Sequence, residues 1–183
     1  MKKKATRAKP PVTLYQGKFL EIKKQGTWEY AARVNATDVT CIVPQLSTGE
    51  FVLIEQFRPP LKANVIEWPA GLVGDEPGME EEPLLCSAQR ELEEETGLAS
   101  RFWTTAGEYA SSAGLTNETV HFFLAQLCQK VSQGGGVAGE QIQVHHVPQD
   151  QLTRWLMEQV TNGKMIDAKV ATGCWLWNQL IGE

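Results

Sequence analysis

Arg90-Glu91-Leu92-Glu93-Glu94-Glu95-Thr96-Gly97 is the stretch on which the reading of this chain turns. It closes a run from Glu82 to Thr96 that has no internal glycine and carries Pro83 near its start. The run stops at Gly97, the residue type expected just past a helix C-terminus. A helix over 82–96 is therefore predicted. On it Glu91, Glu94 and Glu95 stand at i, i+3 and i+4 and share one face, where like charges repel. Taken alone, such a face is an ordinary solvated acidic surface. The same array of hard oxygen donors also suits Mg²⁺ or Mn²⁺, whose charge would turn the repulsion into a binding site.

Upstream of this helix the chain reads as β. Thr13 to Ile22, Trp28 to Asn35 and Val39 to Leu46 are short β-rich runs separated by the turn formers Gln25-Gly26 and Thr37-Asp38, and together predict an antiparallel meander. After the turn Ser47-Thr48-Gly49-Glu50, the run Phe51-Val52-Leu53-Ile54 continues the sheet until Pro59-Pro60 stops it, which places Arg58 at a strand end. Downstream, strands are expected at Phe102 to Ala110, Thr119 to Leu127 and Ile142 to Val147. The last two are separated by Gly134-Gly135-Gly136 and Gly139, a loop expected to be mobile. Gln149 to Val160 and Ala168 to Leu180 have helical periodicity and close an α+β domain.

The 183 residues suffice for one domain with a sizeable core, and 42% apolar with 21% charged residues is ordinary globular usage. Seventeen Lys and Arg against 22 Asp and Glu give a net charge of -5, which offers no electrostatic reason for a nucleic-acid or anionic-membrane partner. An anionic substrate would need local positive charge or a metal. No apolar stretch approaches the run of about 20 residues needed to span a bilayer. Met1-Lys2-Lys3-Lys4 lacks a following apolar segment, so residues 1–11 are read as a disordered basic tail. Cys41, Cys86, Cys128 and Cys174 show no CxxC pair or zinc-ligand spacing, which fits reduced thiols in a cytoplasmic protein. His145-His146 lies on a strand without a third ligand nearby and is read as structural.

Glu82, then seven residues, Arg90-Glu91-Leu92, one residue, Glu94-Glu95, one residue and Gly97-Leu98 resemble the second half of the Nudix box. The box begins with a glycine six residues before its first glutamate, where this chain has Glu76. Gly71 in Trp68-Pro69-Ala70-Gly71-Leu72 takes that role if the loop carries an insertion of five residues. Pro-Ala-Gly-Leu is typical of the ADP-ribose pyrophosphatase branch. The resemblance implies an α/β/α sandwich over 12–183, with residues 12–35 as a dimerising β extension and 36–183 as the Nudix core.

It also implies functions for single residues. Glu91, Glu94 and Glu95, with the Ala70 carbonyl and Glu140, would hold two or more Mg²⁺ ions, with Mn²⁺ as the possible substitute. Arg90 would orient the acids by pairing with Glu82 or its neighbours, although an ordinary helix-to-loop ion pair reads the same way. Glu140, the only carboxylate of the glycine loop, would position or deprotonate water, with Glu94 and Glu118 as alternates. Trp28-Glu29 and Arg33 resemble the segment that sandwiches adenine and contacts phosphate, with a core aromatic as the other reading of Trp28. Gln56-Phe57-Arg58 resembles a strand-end motif whose arginine binds phosphate or the terminal ribose, with ordinary surface residues as the lesser reading of Arg33 and Arg58. Glu67 and the loop Ser111 to Glu118, with Leu115 and Glu118, complete the substrate contacts. That loop departs from the branch at Ala113, commonly proline, and at Asn117, commonly Asp.

The activity implied is metal-dependent cleavage of the pyrophosphate of a small nucleoside diphosphate derivative, ADP-ribose or another ADP-sugar, giving AMP and a sugar phosphate. Alternatives are GDP-mannose, a dinucleoside polyphosphate or NADH as substrate, or a sensor that binds a nucleotide sugar without cleaving it. A homodimer is expected, its partner chain lending Trp28 to the site.

Overall fold

The computed structural model describes residues 9–36, 38–74, 78–79, 81–136, 139 and 141–182. Strands β1 (Val12–Gln16), β2 (Leu20–Gln25) and β3 (Trp28–Arg33) form an antiparallel sheet in that order. The single run expected over Thr13 to Ile22 is two strands, because the chain reverses at Gly17, whose N–H bonds the Leu20 carbonyl at 2.8 Å. Of the expected tail, residues 1–8 lie outside the described residues, and the Lys9 carbonyl accepts from Gln25 Nε2 at 3.1 Å.

β4 (Asp38–Leu46) corrects the expected meander, since it leaves the first sheet and becomes a central strand of a second. The reason lies in its residues. Thr40 through Val43 are all fully buried, so both faces of the strand need cover, whereas β1 to β3 carry exposed side chains. β4 is followed by β5 (Glu50–Arg58), β6 (Ala63–Glu67) and β7 (Ala70–Val73), then α1 (Leu84–Thr96), β8 (Leu98–Ala99), β9 (Phe102–Ala110), β10 (Thr119–Lys130) and β11 (Gln143–Pro148). A 3₁₀ turn at Gln149–Gln151 leads into α2 (Leu152–Thr161), and β12 (Met165–Ile166) precedes α3 (Ala168–Leu180). β6, β7 and the two-residue strands β8 and β12 carry too little alternating pattern to be read from sequence.

The second sheet runs β12-β6-β5-β4-β10-β8, with β11 on β5, β7 on β4 and β9 on β10; β4 and β10 are parallel. Alternation of side chains along each strand builds a layer on either face. Cys41 and Val43 of β4, Phe51 and Leu53 of β5, and Phe122 and Leu124 of β10 form one core with Leu152 of α2 and Val170, Leu176 and Trp177 of α3. Their neighbours Ile42, Val52, Phe123 and Ala125 form a second core with Ala88 and Leu92 of α1. The result is the expected α/β/α sandwich. Trp68 is fully buried beside Phe51 and donates through Nε1 to the Val170 carbonyl at 3.2 Å, which fixes α3 against the turn between β6 and β7.

α1 begins at Leu84, two residues later than predicted, because Pro83 is extended (ψ 139°) and serves as its N-cap. Its end is as expected: Gly97 is left-handed at φ 72°, and its N–H bonds the Glu93 carbonyl at 2.7 Å.

Candidate active site

α1 lays Leu92 into the core and turns Glu91, Glu94 and Glu95 toward a cleft, as the i, i+3, i+4 spacing requires. Arg90 holds this acidic face together. Its Nη1 bonds Glu91 Oε1 at 2.8 Å and Glu94 Oε2 at 3.3 Å, and its Nη2 bonds Glu82 Oε2 at 3.2 Å. Burial works against its charge, but the Glu82 hydrogen bond and the Glu91, Glu82 and Glu94 charges outweigh it and hold the guanidinium above its ordinary pKa. Glu95 is buried, and its Oε2 accepts the Ala70 N–H at 2.9 Å, tying the helix to β7. Gly71 is required next to it. A Cβ built there would stand 1.9 Å from Glu91 Cδ, so only glycine leaves the Glu91 carboxylate in its present place.

The cleft has a volume of about 360 Å³ and is also lined by Arg33, Arg58 and Lys169. Each comes from the end of an element. Arg33 ends β3 and its Nε bonds Glu118 Oε2 at 2.6 Å; Arg58 ends β5, before Pro59, and its Nε bonds Glu67 Oε2 at 2.9 Å. Burial pushes the Glu67 carboxyl above its ordinary pKa, with Arg58 pulling the other way. Lys169 lies in the first turn of α3, and its Nζ pairs with the N-cap residue Asp167 at 2.6 Å. Sequence reasoning missed Lys169. An Asp two residues before a Lys at a helix start was the signal, but only the fold turns that helix end toward the cleft.

The structure thus brings Arg33, Arg58, Glu67, Ala70, Gly71, Arg90, Glu91, Glu94, Glu95 and Glu118 into one cleft. Arg33 and Arg58 are held by ion pairs to Glu118 and Glu67, which line the same cleft. Trp28, Glu29 and Leu115 do not line it. Trp28 is 62% exposed, which excludes the core-aromatic reading. Glu29 pairs with Lys24 at 3.0 Å on the surface. Leu115 is exposed, yet its carbonyl accepts the Ala31 N–H at 2.8 Å, docking the loop Ser111 to Glu118 on β3. Glu140 lies outside the described residues.

Among the described residues no group of three or more His, Cys, Asp or Glu side chains is drawn together around one ion position, and Arg90 stands between Glu91 and Glu94. The donor chemistry still fits a hard divalent cation. The acids are carboxylates on successive turns of one helix face, and the backbone at Gly71 leaves their side chains room.

Away from the cleft, buried Glu55 accepts from Asn64 at 2.8 Å, His145 at 2.8 Å and Lys164 at 2.6 Å. Burial alone would raise its pKa, but the three donors, Lys164 foremost, hold it below the ordinary carboxylate value. His145 is accordingly structural. All four cysteines are free thiols, and no helix of the described residues is long and apolar enough to cross a membrane.

Fold and cleft define a class: an α/β/α domain whose cleft is lined by the acids of one helix face and by three cations held in ion pairs. The family model of the NUDIX domain matches residues 35–168, and the chain belongs to the Nudix hydrolase family. An ADP-ribose pyrophosphatase of Bacillus subtilis is 41% identical over 80 residues, covering 43% of this chain and 40% of that protein. A GDP-mannose pyrophosphatase of Cronobacter sakazakii is 33% identical over 126 residues, covering 64% of this chain and 61% of its own length. The ADP-sugar pyrophosphatase of Mus musculus is 31% identical over 106 residues, or 54% and 46% of the two chains. The chain therefore spans about half the length of these curated relatives. A crystal structure of an ADP compounds hydrolase shares the fold at TM-score 0.71 with 17% identity, over 96% of both chains.

Proposed function

We propose that the chain hydrolyses the pyrophosphate bond of a nucleoside diphosphate derivative, ADP-ribose or another ADP-sugar, to AMP and a sugar phosphate. The observation that carries this reading is the cleft itself, which Glu91, Glu94 and Glu95 line together with Arg33, Arg58 and Lys169. Mg²⁺ or Mn²⁺ bound there, as two or more ions, would neutralise the diphosphate and lower the pKa of a coordinated water. The three glutamates and the Ala70 carbonyl, with Glu140, would hold the cations, and Arg90 keeps the acids oriented by spanning Glu82, Glu91 and Glu94. Arg33 and Arg58 bind phosphate oxygens, their forks already aimed by Glu118 and Glu67. Glu140 accepts the proton of the attacking water, with Glu94 and Glu118 as alternates.

The substrate site is completed by a second copy of the chain. Trp28 is exposed and outside its own chain's cleft, which supports its stacking on the base held by a partner; Glu29 and Leu115 likewise lie outside that cleft. Free thiols support a reducing, cytoplasmic setting.

A substrate panel at fixed Mg²⁺ tests the reading. ADP-ribose, ADP-glucose and ADP-mannose should all be cleaved within about a hundredfold of one another, because Ala113 lacks the fixed φ that proline would impose on the loop. No AMP release from any of them overturns the proposal. The GDP-mannose pyrophosphatase relative, which matches more of this chain than the ADP-ribose pyrophosphatase does, favours GDP-mannose as the second reading, and the same panel decides between them.

A further inference from the structure

The last carbonyls of a helix have no partner within it, and the final turn frays unless something else supplies donors. Two of the three acids that α1 gives the cleft, Glu94 and Glu95, lie in the final turn of that helix, which ends at Thr96. Every carbonyl from Glu93 to Gly97 nevertheless has a donor, and all but one of these donors come from Lys130, the last residue of β10, and the segment that follows it. Gly136 N–H bonds the Glu94 carbonyl and Gly135 N–H the Glu95 carbonyl, both at 2.9 Å. Lys130 Nζ bonds the Thr96 carbonyl at 3.0 Å, and Val131 and Ser132 N–H bond that of Gly97 at 2.9 and 3.2 Å. Lys130 Nζ also bonds the Gln133 carbonyl at 2.8 Å, closing the turn on itself, and sets a positive charge at the negative end of the helix dipole.

The fit is backbone against backbone. A Cβ at Gly134 would stand 2.4 Å from Gly97 N and Thr96 C, and one at Gly97 would stand 2.4 Å from the Ser132 carbonyl oxygen. The glycine run expected to be mobile is thus, over Gly134 to Gly136, docked on the end of the acidic helix. Glycine served here for close approach, a use that sequence cannot tell from flexibility.

We infer that Lys130 and the turn Gly134 to Gly136 are positioning residues for Glu94 and Glu95. They hold the backbone of those two residues helical, so that the carboxylates stay aimed into the cleft. The inference rests on the reading that these acids take a divalent cation. Supporting groups of this kind change metal affinity or activity by roughly 10- to 100-fold when lost.

The test compares wild type, K130M, K130R and G134A by Mn²⁺ binding followed by electron paramagnetic resonance, and by kcat and KM for ADP-ribose at saturating metal. K130M should bind Mn²⁺ roughly tenfold more weakly and lose kcat to a similar degree, with KM unchanged. K130R, which keeps charge and donors, should recover most of both, and G134A should lose more than K130M. Circular dichroism reports whether G134A folds; if it does not, K130M, altered at an exposed residue, decides alone. Wild-type Mn²⁺ affinity and turnover in K130M overturn the inference. A wild-type chain that binds no Mn²⁺ removes the metal reading, and the positioning role with it.

Discussion

The acidic end of the cleft and the N-terminal sheet are built in opposite ways. Around α1, charged side chains are half-buried or buried and interlocked: Arg90 with Glu82, Glu91 and Glu94, and Glu95 with the Ala70 N–H. On β1 to β3 and the turn between the first two strands, large apolar side chains face outward, with Tyr15 68%, Phe19 69% and Trp28 62% exposed. One region is complete within a single chain. The other presents an apolar face and an open sheet edge that a second copy can cover. Chemistry at the pyrophosphate should therefore depend on residues of one chain, and recognition of the base on two.

The largest effect should come from breaking the complete region. Glu95→Gln removes a charge from the cleft while its amide oxygen can still accept the Ala70 N–H, so the fold should hold and turnover of ADP-ribose fall by about a hundredfold or more. Wild-type turnover in this variant would end the metal-site reading. Next is Gly71→Ala, whose Cβ would occupy the position of Glu91 Cδ. Glu91 must then leave Arg90, and kcat should drop by roughly 10- to 100-fold with a melting temperature close to that of wild type. A collapsed melting temperature would instead make Gly71 a residue of the fold alone.

Trp28→Ala probes the open region and should act on KM rather than kcat. Stacking on a base contributes about 1 to 3 kcal/mol in ground and transition states alike, so KM should rise roughly tenfold or more. Light scattering that finds an active monomer at assay concentration would remove the shared site and break the comparison.

The smallest effect concerns Glu55, a second buried carboxylate held by donors of its own chain. Its folded pKa is lowered, so the stability it lends is present above the unfolded carboxylate pKa and is lost as the pH falls through the folded value. Thermal melts of Glu55→Gln should show lower stability at neutral pH and a weaker decline on acidification. Parallel curves for variant and wild type would show that Glu55 does not set this dependence.

How much of this was legible depended on how local the physics was. The helix 84–96, its Gly97 stop and the shared face of Glu91, Glu94 and Glu95 follow from side-chain periodicity and backbone preference, which act over a few residues. Arg58 at a strand end followed from Pro59-Pro60 in the same way. The course of β4 did not, because a run buried on both faces says nothing about which strands flank it.

By itself, then, the sequence determined the acidic helix and the α+β character, consequences of spacing along the chain, while the place of Gly71 beside the acids was implied only by the resemblance to the Nudix box. Tertiary structure alone decided what faces the acids and what holds them. Arg33 met Glu118 across 85 positions, Lys169 reached the cleft from the start of the last helix, and Lys130 capped the end of α1 from 34 positions away. Such contacts are set by which strands pair and how helices pack on them, free-energy choices made by the whole core and carried by no local pattern.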